Sequence, residues 1–409
     1  MRKMKDSGVE WIGEIPKDWN CMRLKFAFGN SNVGESVDKE LYSSDENGYI
    51  FYTAGANPVK TSYTEFPMWK YTTDNDILLA RNGTPYIYLP SKDAVYSDHI
   101  IRINIKDGYC RRFLRYCLQR SIESIIVDSV SIATWSISLW KEQKLPLPYY
   151  HEQKYLADYL DSKCSKIDEI IEKQQAIIKK LKEYKFSIIT EAVTKGINPD
   201  VELKDSTIDM CEQIPVHWGI SQNRYLFLLR DEKNYKPLEE VRLLSLYTDL
   251  GVFPHGEQEE RGNKAVKAEG YKVVYENDIV VNIILAWMGA IGRSAYDGVT
   301  SPAYDIYKPN ENVCSRYYHY LYRTKPFSAE CYKYGRGIMA MRWRTYSSEF
   351  KSIKVPVPPY IEQCQIADYL DSKCEMLDKT IADRNKAIDI LQEYKKSLIY
   401  EVVTGKMEV

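Results

Sequence analysis

No stretch of the 409-residue sequence approaches the roughly 20 consecutive apolar residues that a bilayer-spanning helix needs. The opening, MRKMKDSGVEWIGEIP, lacks the continuous apolar segment of a signal peptide, so the expected location is the cytoplasm. Nine cysteines are scattered and never spaced as CxxC, which argues against a disulfide framework and a zinc site and fits a reducing compartment. The five histidines, at 99, 151, 217, 255 and 319, form neither HExxH nor a close pair, and read as structural. A GxxxxGKS/T phosphate loop, a GxGxxG turn after a strand and an Asn-Pro-Pro-aromatic tetrapeptide are all missing. Their absence argues against ATP-driven translocation, dinucleotide binding and amino-methyl transfer by this chain itself. Pro199, Asp200, Glu202 and Lys204 in PDVELK are the residue types of a metal-dependent nuclease, but their spacing is compressed and the segment reads as an interdomain linker. The formal net charge of -1 rules out a chain basic all over, so any nucleic-acid surface must be local.

What is present suits a globular protein of two to three domains: 44% hydrophobic and 28% charged residues. Thirty-four tyrosines supply apolar faces with polar tips, useful in cores and at wet recognition surfaces alike. The dominant feature is a repeat. ADYLDSKC occurs at 157 to 164 and again at 367 to 374, and aligning 152–196 with 362–406 gives identity at 22 of 45 positions. KLPLPYYHEQ (144–153) and KVPVPPYIEQ (354–363) precede the copies; alternate prolines forbid helix, and the EQ after them opens one. Upstream, EIPKDW (14–19) is echoed by QIPVHW (213–218). The chain is therefore two units of one design, each a divergent globular region followed by a similar long segment. The divergent regions read as short strands and turns, as in GYIFYTA (48–54), DILLA (76–80), HIIRINI (99–105), YKVVY (271–275) and NDIVVNIIL (277–285). Each ends in an aromatic, basic stretch read as a short helix, RRFLRYCLQR (111–120) and SRYYHYLYR (315–323).

The repeated segments read as long helices. Glu152 to Thr194 contains no Gly or Pro, and Leu160, Cys164, Ile167, Ile171, Gln174, Ile178, Leu181 and Ile188 recur at three- and four-residue steps. The second copy places Leu370, Cys374, Leu377, Ile381, Arg384, Ile388, Leu391 and Leu398 at the same positions. A seven-residue stride over four heptads is a coiled-coil seam, on a rod of roughly 65 Å; the alternative is a pair of core helices in one compact domain. If the helices pair antiparallel, Gln174 meets Arg384 at mid-seam, as a polar register lock or as two solvated groups at a flared crossing. A second stripe, Leu156, Ile170, Ile177 and Tyr184, is wider than a two-stranded coil requires and offers a partner-binding surface.

Basic charge is concentrated late in each globular region. Residues 316 to 354 hold nine Lys or Arg against Glu330 and Glu349, and 106 to 144 hold seven against four acids. In CYKYGRGIMAMRWRTYSS (331–348), Arg336, Arg342 and Arg344 are candidate base or phosphate contacts, with Trp343 packing. An earlier loop pair, DILLARNGTPY (76–86) and DIVVNIILAWMGAIG (278–292), offers Arg81, Asn82 and Thr84, then Asn282 and Trp287. Arg102, Arg293 and Lys333 complete the DNA-facing set. Plain turns and solvated faces are the bland alternatives.

With these residues in view, the whole chain resembles the specificity subunit of Type I restriction-modification enzymes. The likeness is carried by the opening Trp11, Gly13, Glu14, Ile15, Pro16 and Trp19, the degenerate IPxxW at 214–218, the strands beginning at Asp76 and Asp278, the two Pro-x-Pro-x-x-x-Glu-Gln hinges and the repeated ADYLDSK. It departs from the pattern in MCEQIPVHW and in Thr73-Asp74-Asn75 ahead of Asp76. The resemblance implies an α+β fold: two target-recognition domains of mixed strands and helices separated by two long antiparallel helices forming a coiled coil. The expected divisions are 1–150 and 214–360 for the recognition domains, 151–196 and 361–409 for the spacer helices, and 197–213 for a linker. It implies a non-catalytic chain reading a bipartite, asymmetric site on double-stranded DNA. Two modification (methyltransferase) subunits carrying S-adenosylmethionine and restriction (motor-nuclease) subunits using ATP and Mg2+ are the expected partners; no cofactor or metal is expected in this chain. The alternatives are a self-contained nuclease or methyltransferase on the same frame, and a coiled-coil protein tether.

Overall fold

The computed structural model describes residues 2–43, 48–128, 134–248, 250–256, 268–337 and 343–409. They form two compact units, Met1–Gln175 with Asn385–Val409, and Ala176–Arg384.

Both units are built around a four-stranded antiparallel sheet of the same order. In the first, Phe28–Val33, Ile100–Ile105, Asp76–Ala80 and Ile87–Tyr88 lie side by side; in the second, Phe227–Arg230, Tyr304–Pro309, Ile279–Asn282 and Ile291–Arg293 do. Three of the four inner strands, Asp76–Ala80, Ile100–Ile105 and Ile279–Asn282, are rich in Ile, Val and Leu and buried on both faces, which is why they read as continuous apolar stretches, whereas Tyr304–Pro309 is buried only at Ile306 and Tyr307. Ahead of each sheet stands a hairpin, Met4–Asp6 with Glu14–Pro16 and Leu203–Ile208 with Cys211–Pro215. The stretch expected to be a linker, 197–213, thus contains most of this second hairpin. Its Lys204 ammonium donates to the carbonyls of Val216 (2.8 Å) and Trp218 (2.7 Å), so the lysine of PDVELK closes a turn.

A helix follows each sheet, Arg111–Asp128 and Ser315–Tyr322, and then the proline hinge. Each hinge is itself a strand: Lys144–Leu147 pairs with Asn20–Arg23, and Lys354–Val357 with Gly219–Gln222. Alternate prolines fit an edge strand because they remove donors on the unpaired side only.

The long helices run Tyr150–Lys195 and Tyr360–Val403, with Glu152 and Glu362 in their first turns, where the helix dipole favours a carboxylate. They pack antiparallel within each unit. In the first unit Lys395 reaches Asp168 (2.6 Å); in the second Lys185 reaches Asp378 (2.7 Å), the same pair with the helices exchanged. Leu160, Cys164, Ile167, Ile171, Ile178 and Ile188 are buried on one helix, and Leu370, Cys374, Leu377, Ile388 and Leu398 on the other, as the heptads require. Gln174 and Arg384 are both half-buried.

The repeated motifs anchor each globular region to a helix start. Gln153 is buried: its Oε1 accepts from the Cys110 amide (2.9 Å) and its Nε2 donates to the Pro148 carbonyl (2.9 Å). Gln363 repeats this with Cys314 and Pro358, at 2.9 Å each. Arg112 forks onto Asp158 and Asp161 (both 2.6 Å), and Arg316 onto Asp368 (2.8 Å) and Asp371 (2.7 Å). The two Asp residues of ADYLD are therefore a clasp for the arginine that opens the preceding helix. Glu152 accepts from the Trp19 indole (3.0 Å), whereas Glu362 pairs with His217 (2.7 Å) one residue before the matching Trp218.

Candidate nucleic-acid interface

In each unit the loop leaving the buried Asp-Ile strand meets the loop that precedes the hinge. The Trp135 amide donates to Arg81 O (2.6 Å) beside a bridge between Asn82 and Thr134; in the second unit the Thr345 amide donates to Ile283 O (2.8 Å). The two loop sets singled out separately in the sequence are thus one surface in each unit.

In the first unit Arg81 extends its guanidinium to Asp98 O (3.2 Å), Asn82 bonds the His99 imidazole (2.9 Å), and Thr84 is exposed on the turn beyond. His99, on the neighbouring strand end, belongs to this edge and was not among the sequence candidates. Arg102 does not. It is buried mid-sheet, its guanidinium donating to the carbonyls of Trp69 (3.2 Å) and Tyr71 (2.9 Å) with the Asp76 carboxylate at 3.7 Å. A cation in that position holds the fold, and the DNA-facing expectation for Arg102 is corrected.

Asn282 is corrected likewise. It is buried, and its Oδ1 accepts from the amides of Ile284 (3.1 Å) and Leu285 (3.4 Å), shaping the turn that carries Trp287. Trp287 is half-buried, donates to Ile284 O (3.0 Å) and meets Tyr332 edge-on at 5.9 Å; Tyr332 in turn stacks on Trp343 at 4.8 Å. This ladder ties the 283–289 turn to the basic loop, with Trp343 packing as expected. There Arg336 and Arg344 exchange backbone hydrogen bonds (2.9 Å each), and both side chains reach solvent, Arg336 touching Glu349 at 2.9 Å. Lys333 is exposed and pairs with Asp209. Arg293 is braced by Asn277 (2.7 Å) and Glu276 (3.4 Å). Arg342 lies outside the described residues.

Asp76 and Asp278 explain the motif that opens each central strand. Each carboxylate accepts the amide three residues earlier, Thr73 (2.6 Å) and Tyr275 (3.0 Å), closing the turn. Burial pushes the Asp278 carboxyl up, against the pull of Arg230 and the Tyr275 amide. The compensating cation differs: Arg102 on the central strand in one unit, and Arg230 on the edge strand in the other, at 2.9 and 3.1 Å.

On the stripe expected to bind a partner, Ile170 and Tyr184 are exposed and Ile177 is half-buried, but Leu156 is buried in the first unit. Leu156 is therefore corrected to a core residue. Tyr184 has an exposed counterpart in Tyr394. Among the described residues no three His, Cys, Asp or Glu side chains gather as a metal-binding group, and no helix is long and apolar enough to cross a membrane.

Comparison with known proteins agrees with this geometry. Residues 16–191 match the Type I restriction modification DNA specificity domain. The type I restriction enzyme MjaVIII specificity subunit of Methanocaldococcus jannaschii is 23% identical over 428 residues, covering 97% of this chain and 94% of its own. A second protein of that organism, provisionally named as the MjaX specificity subunit, is 25% identical over 439 residues, covering 97% and 96%. The fold is shared with a chain solved in work on complex assembly and conformational transition of the type I R-M system, with TM-score 0.69, 12% identity, and 96% of this chain and 99% of that one covered. It is shared also with the HsdS subunit from Thermoanaerobacter tengcongensis, with TM-score 0.51, 13% identity, and 96% and 98% covered. The duplicated frame, the paired loop surfaces and these full-length relatives lead to one conclusion: the chain belongs to the specificity-subunit family of Type I restriction-modification systems and is the non-catalytic DNA specificity subunit of such a system.

Proposed function

We propose that this subunit reads a bipartite, asymmetric DNA target, one half-site per unit, and directs partner subunits to methylate adenine and to cleave DNA. One observation supports the reading above others: two units share the hinge, clasp and sheet order while their reading edges are chemically unlike. Arg81, Asn82, Thr84 and His99 form one edge; Trp287, Arg336 and Arg344 form the other. Identical frames with unlike edges suit unlike half-sites.

On this reading the antiparallel helices set the half-site spacing, with Gln174 and Arg384 fixing register. The stripe of Ile170, Ile177 and Tyr184 receives helices of the modification subunits, which carry S-adenosylmethionine and number two. Restriction subunits add ATP- and Mg2+-dependent cleavage. Expected divisions are a recognition region to residue 150, another over 214–360, and spacer helices at 151–196 and 361–409. Arg293 and Lys333 contribute at most to the field around the second edge, since each already faces a carboxylate.

Mapping methylated adenines in a host expressing this chain with its modification subunit tests the reading. A split sequence with two different halves is expected; an unbroken short word overturns it. Substituting Ile170 and Ile177 by alanine is expected to weaken association with the methyltransferase, and unchanged association removes the docking assignment.

A further inference from the structure

The first unit presents an exposed apolar tip. Met68 is 90% exposed and Trp69 57% exposed, although their neighbours Phe66 and Lys70 are each only 6% exposed. Such a contrast over five residues indicates a turn anchored at both ends and displayed between them.

The anchoring is extensive. Pro67 presets the turn, and its carbonyl accepts the Lys70 amide (2.8 Å). Phe66 is gripped by edge-on rings of Tyr63 (4.8 Å), Tyr49 (6.4 Å) and Tyr71 (6.4 Å) and packs on Phe51. The Lys70 ammonium donates to the carbonyls of Val33 and Gly34 (the latter at 3.1 Å) and pairs with Glu35 (3.0 Å). Arg102, from the sheet, takes the carbonyls of Trp69 and Tyr71. Two buried cations thus hold one short turn, and burying a cation is unfavourable unless its partners compensate it. The Lys70 ammonium also lies 4.4 Å from the Trp69 ring centroid, bracing the indole while leaving it substantially open to solvent.

The tip is continuous with the reading edge. Glu35, which Lys70 holds, accepts the Asp98 amide at its carbonyl (3.1 Å); Asp98 O accepts Arg81, and the next residue, His99, bonds Asn82. Strand register agrees: Val33, Ala80 and Ile100 all lie at this end of the sheet. At the same offsets ahead of Asp278 as Met68 and Trp69 hold ahead of Asp76, the second unit has Gly270 and Tyr271, both half-buried, with no such exposed apolar pair.

We propose that the Met68–Trp69 tip contacts bases of duplex DNA and determines part of the specificity of the first half-site. Apolar and aromatic side chains recognise DNA by contact with thymine methyl groups or by wedging at a base step, both of which require a rigidly held projection. This inference rests on the reading of the first unit as a recognition region.

The test uses the full chain in complex with its methyltransferase subunit and duplexes carrying the mapped target. The double variant Met68→Ala, Trp69→Ala is expected to bind cognate duplex about tenfold to hundredfold more weakly, the range for loss of aromatic contacts to bases. The slope of log affinity against log salt stays unchanged, because no charge is removed. Discrimination against changed base pairs falls in the first half-site and stays intact in the second. Trp69→Phe retains most of the affinity. Because Met68 is almost fully exposed and Lys70 keeps its carbonyl and Glu35 partners when the indole is removed, thermal unfolding of the double variant stays within about 4 °C of the parent. Unchanged affinity and discrimination in the double variant overturn the tip assignment; if Arg81→Ala still relaxes the first half-site, the recognition reading survives. Loss of methyltransferase association with unaltered DNA affinity of the assembled complex assigns the tip to a protein contact and overturns the proposal equally. If neither set of substitutions affects the first half-site, the recognition reading itself fails.

Discussion

Replacing Gln153 by leucine should loosen the first unit while leaving the second as it is. The side chain is 1% exposed and satisfies two backbone groups, the Cys110 amide at the helix entry and the Pro148 carbonyl in the hinge. Leucine fills similar volume but orphans both. Each buried unsatisfied group costs about 1–3 kcal/mol, so a loss of about 2–6 kcal/mol is expected. By contrast, the Arg112 clasp has shorter contacts but involves side chains 35 to 62% exposed, and solvent screening holds Arg112→Ala to about 1 kcal/mol or less of ion-pair energy. Native-state hydrogen exchange on the full chain separates the units. In Gln153→Leu, amides of 111–123 and 150–160 should exchange at least tens of times faster; in Gln363→Leu the change should move to 315–322 and 360–370. If either variant leaves its own unit within about 0.5 kcal/mol of the parent, the claim that the Glu-Gln motif is a backbone clasp is wrong.

Three further outcomes follow from the geometry. Asp168→Lys should destabilise the first unit by roughly 0.5–1 kcal/mol, and adding Lys395→Asp should recover most of it in a double-mutant cycle; no recovery would deny the antiparallel pair. His319 is held neutral, since burial and then the guanidiniums of Arg323 and Arg293 push its pKa down to about 3. Its imidazole is protonated only after unfolding between roughly pH 6.5 and 3, so stability falls as pH drops through that window, by about 1–2 kcal/mol from pH 7 to pH 5. His319→Asn, which keeps an acceptor for the Arg293 amide, should flatten that slope in pH-dependent unfolding. Arg344→Ala should weaken DNA binding and lower the salt slope by about one; an unchanged slope would remove Arg344 from the phosphate contacts.

Much of the frame was legible because it repeats. The heptads, the hinges and ADYLDSK recur at one offset, and helices without Gly or Pro announce themselves through three- and four-residue spacing. What the repeat could not reveal is why its polar letters are kept: Gln153 and Asp161 act on backbone and arginine partners some 45 residues away, which only the fold brings near. The reading edges were half legible. Residue type nominated Arg336 and Arg344, which face solvent, and Arg81, which is half-buried at the edge, but equally nominated Arg102 and Asn282, whose burial depends on strand register. Met68 and Trp69 carry no signal in the sequence, since an apolar pair in a strand-rich region looks like core; their display depends on Lys70 and Phe66 being buried on either side.

The buried carboxylate that opens each central strand is neutralised from different directions, by Arg102 in one region and Arg230 in the other. Chimeras that move loops between such regions must therefore carry the donor arginine along with the strand it serves. A graft of 76–80 without residue 102 would import a buried carboxylate with no cation facing it, and lost stability of the hybrid would then be mistaken for a changed sequence preference.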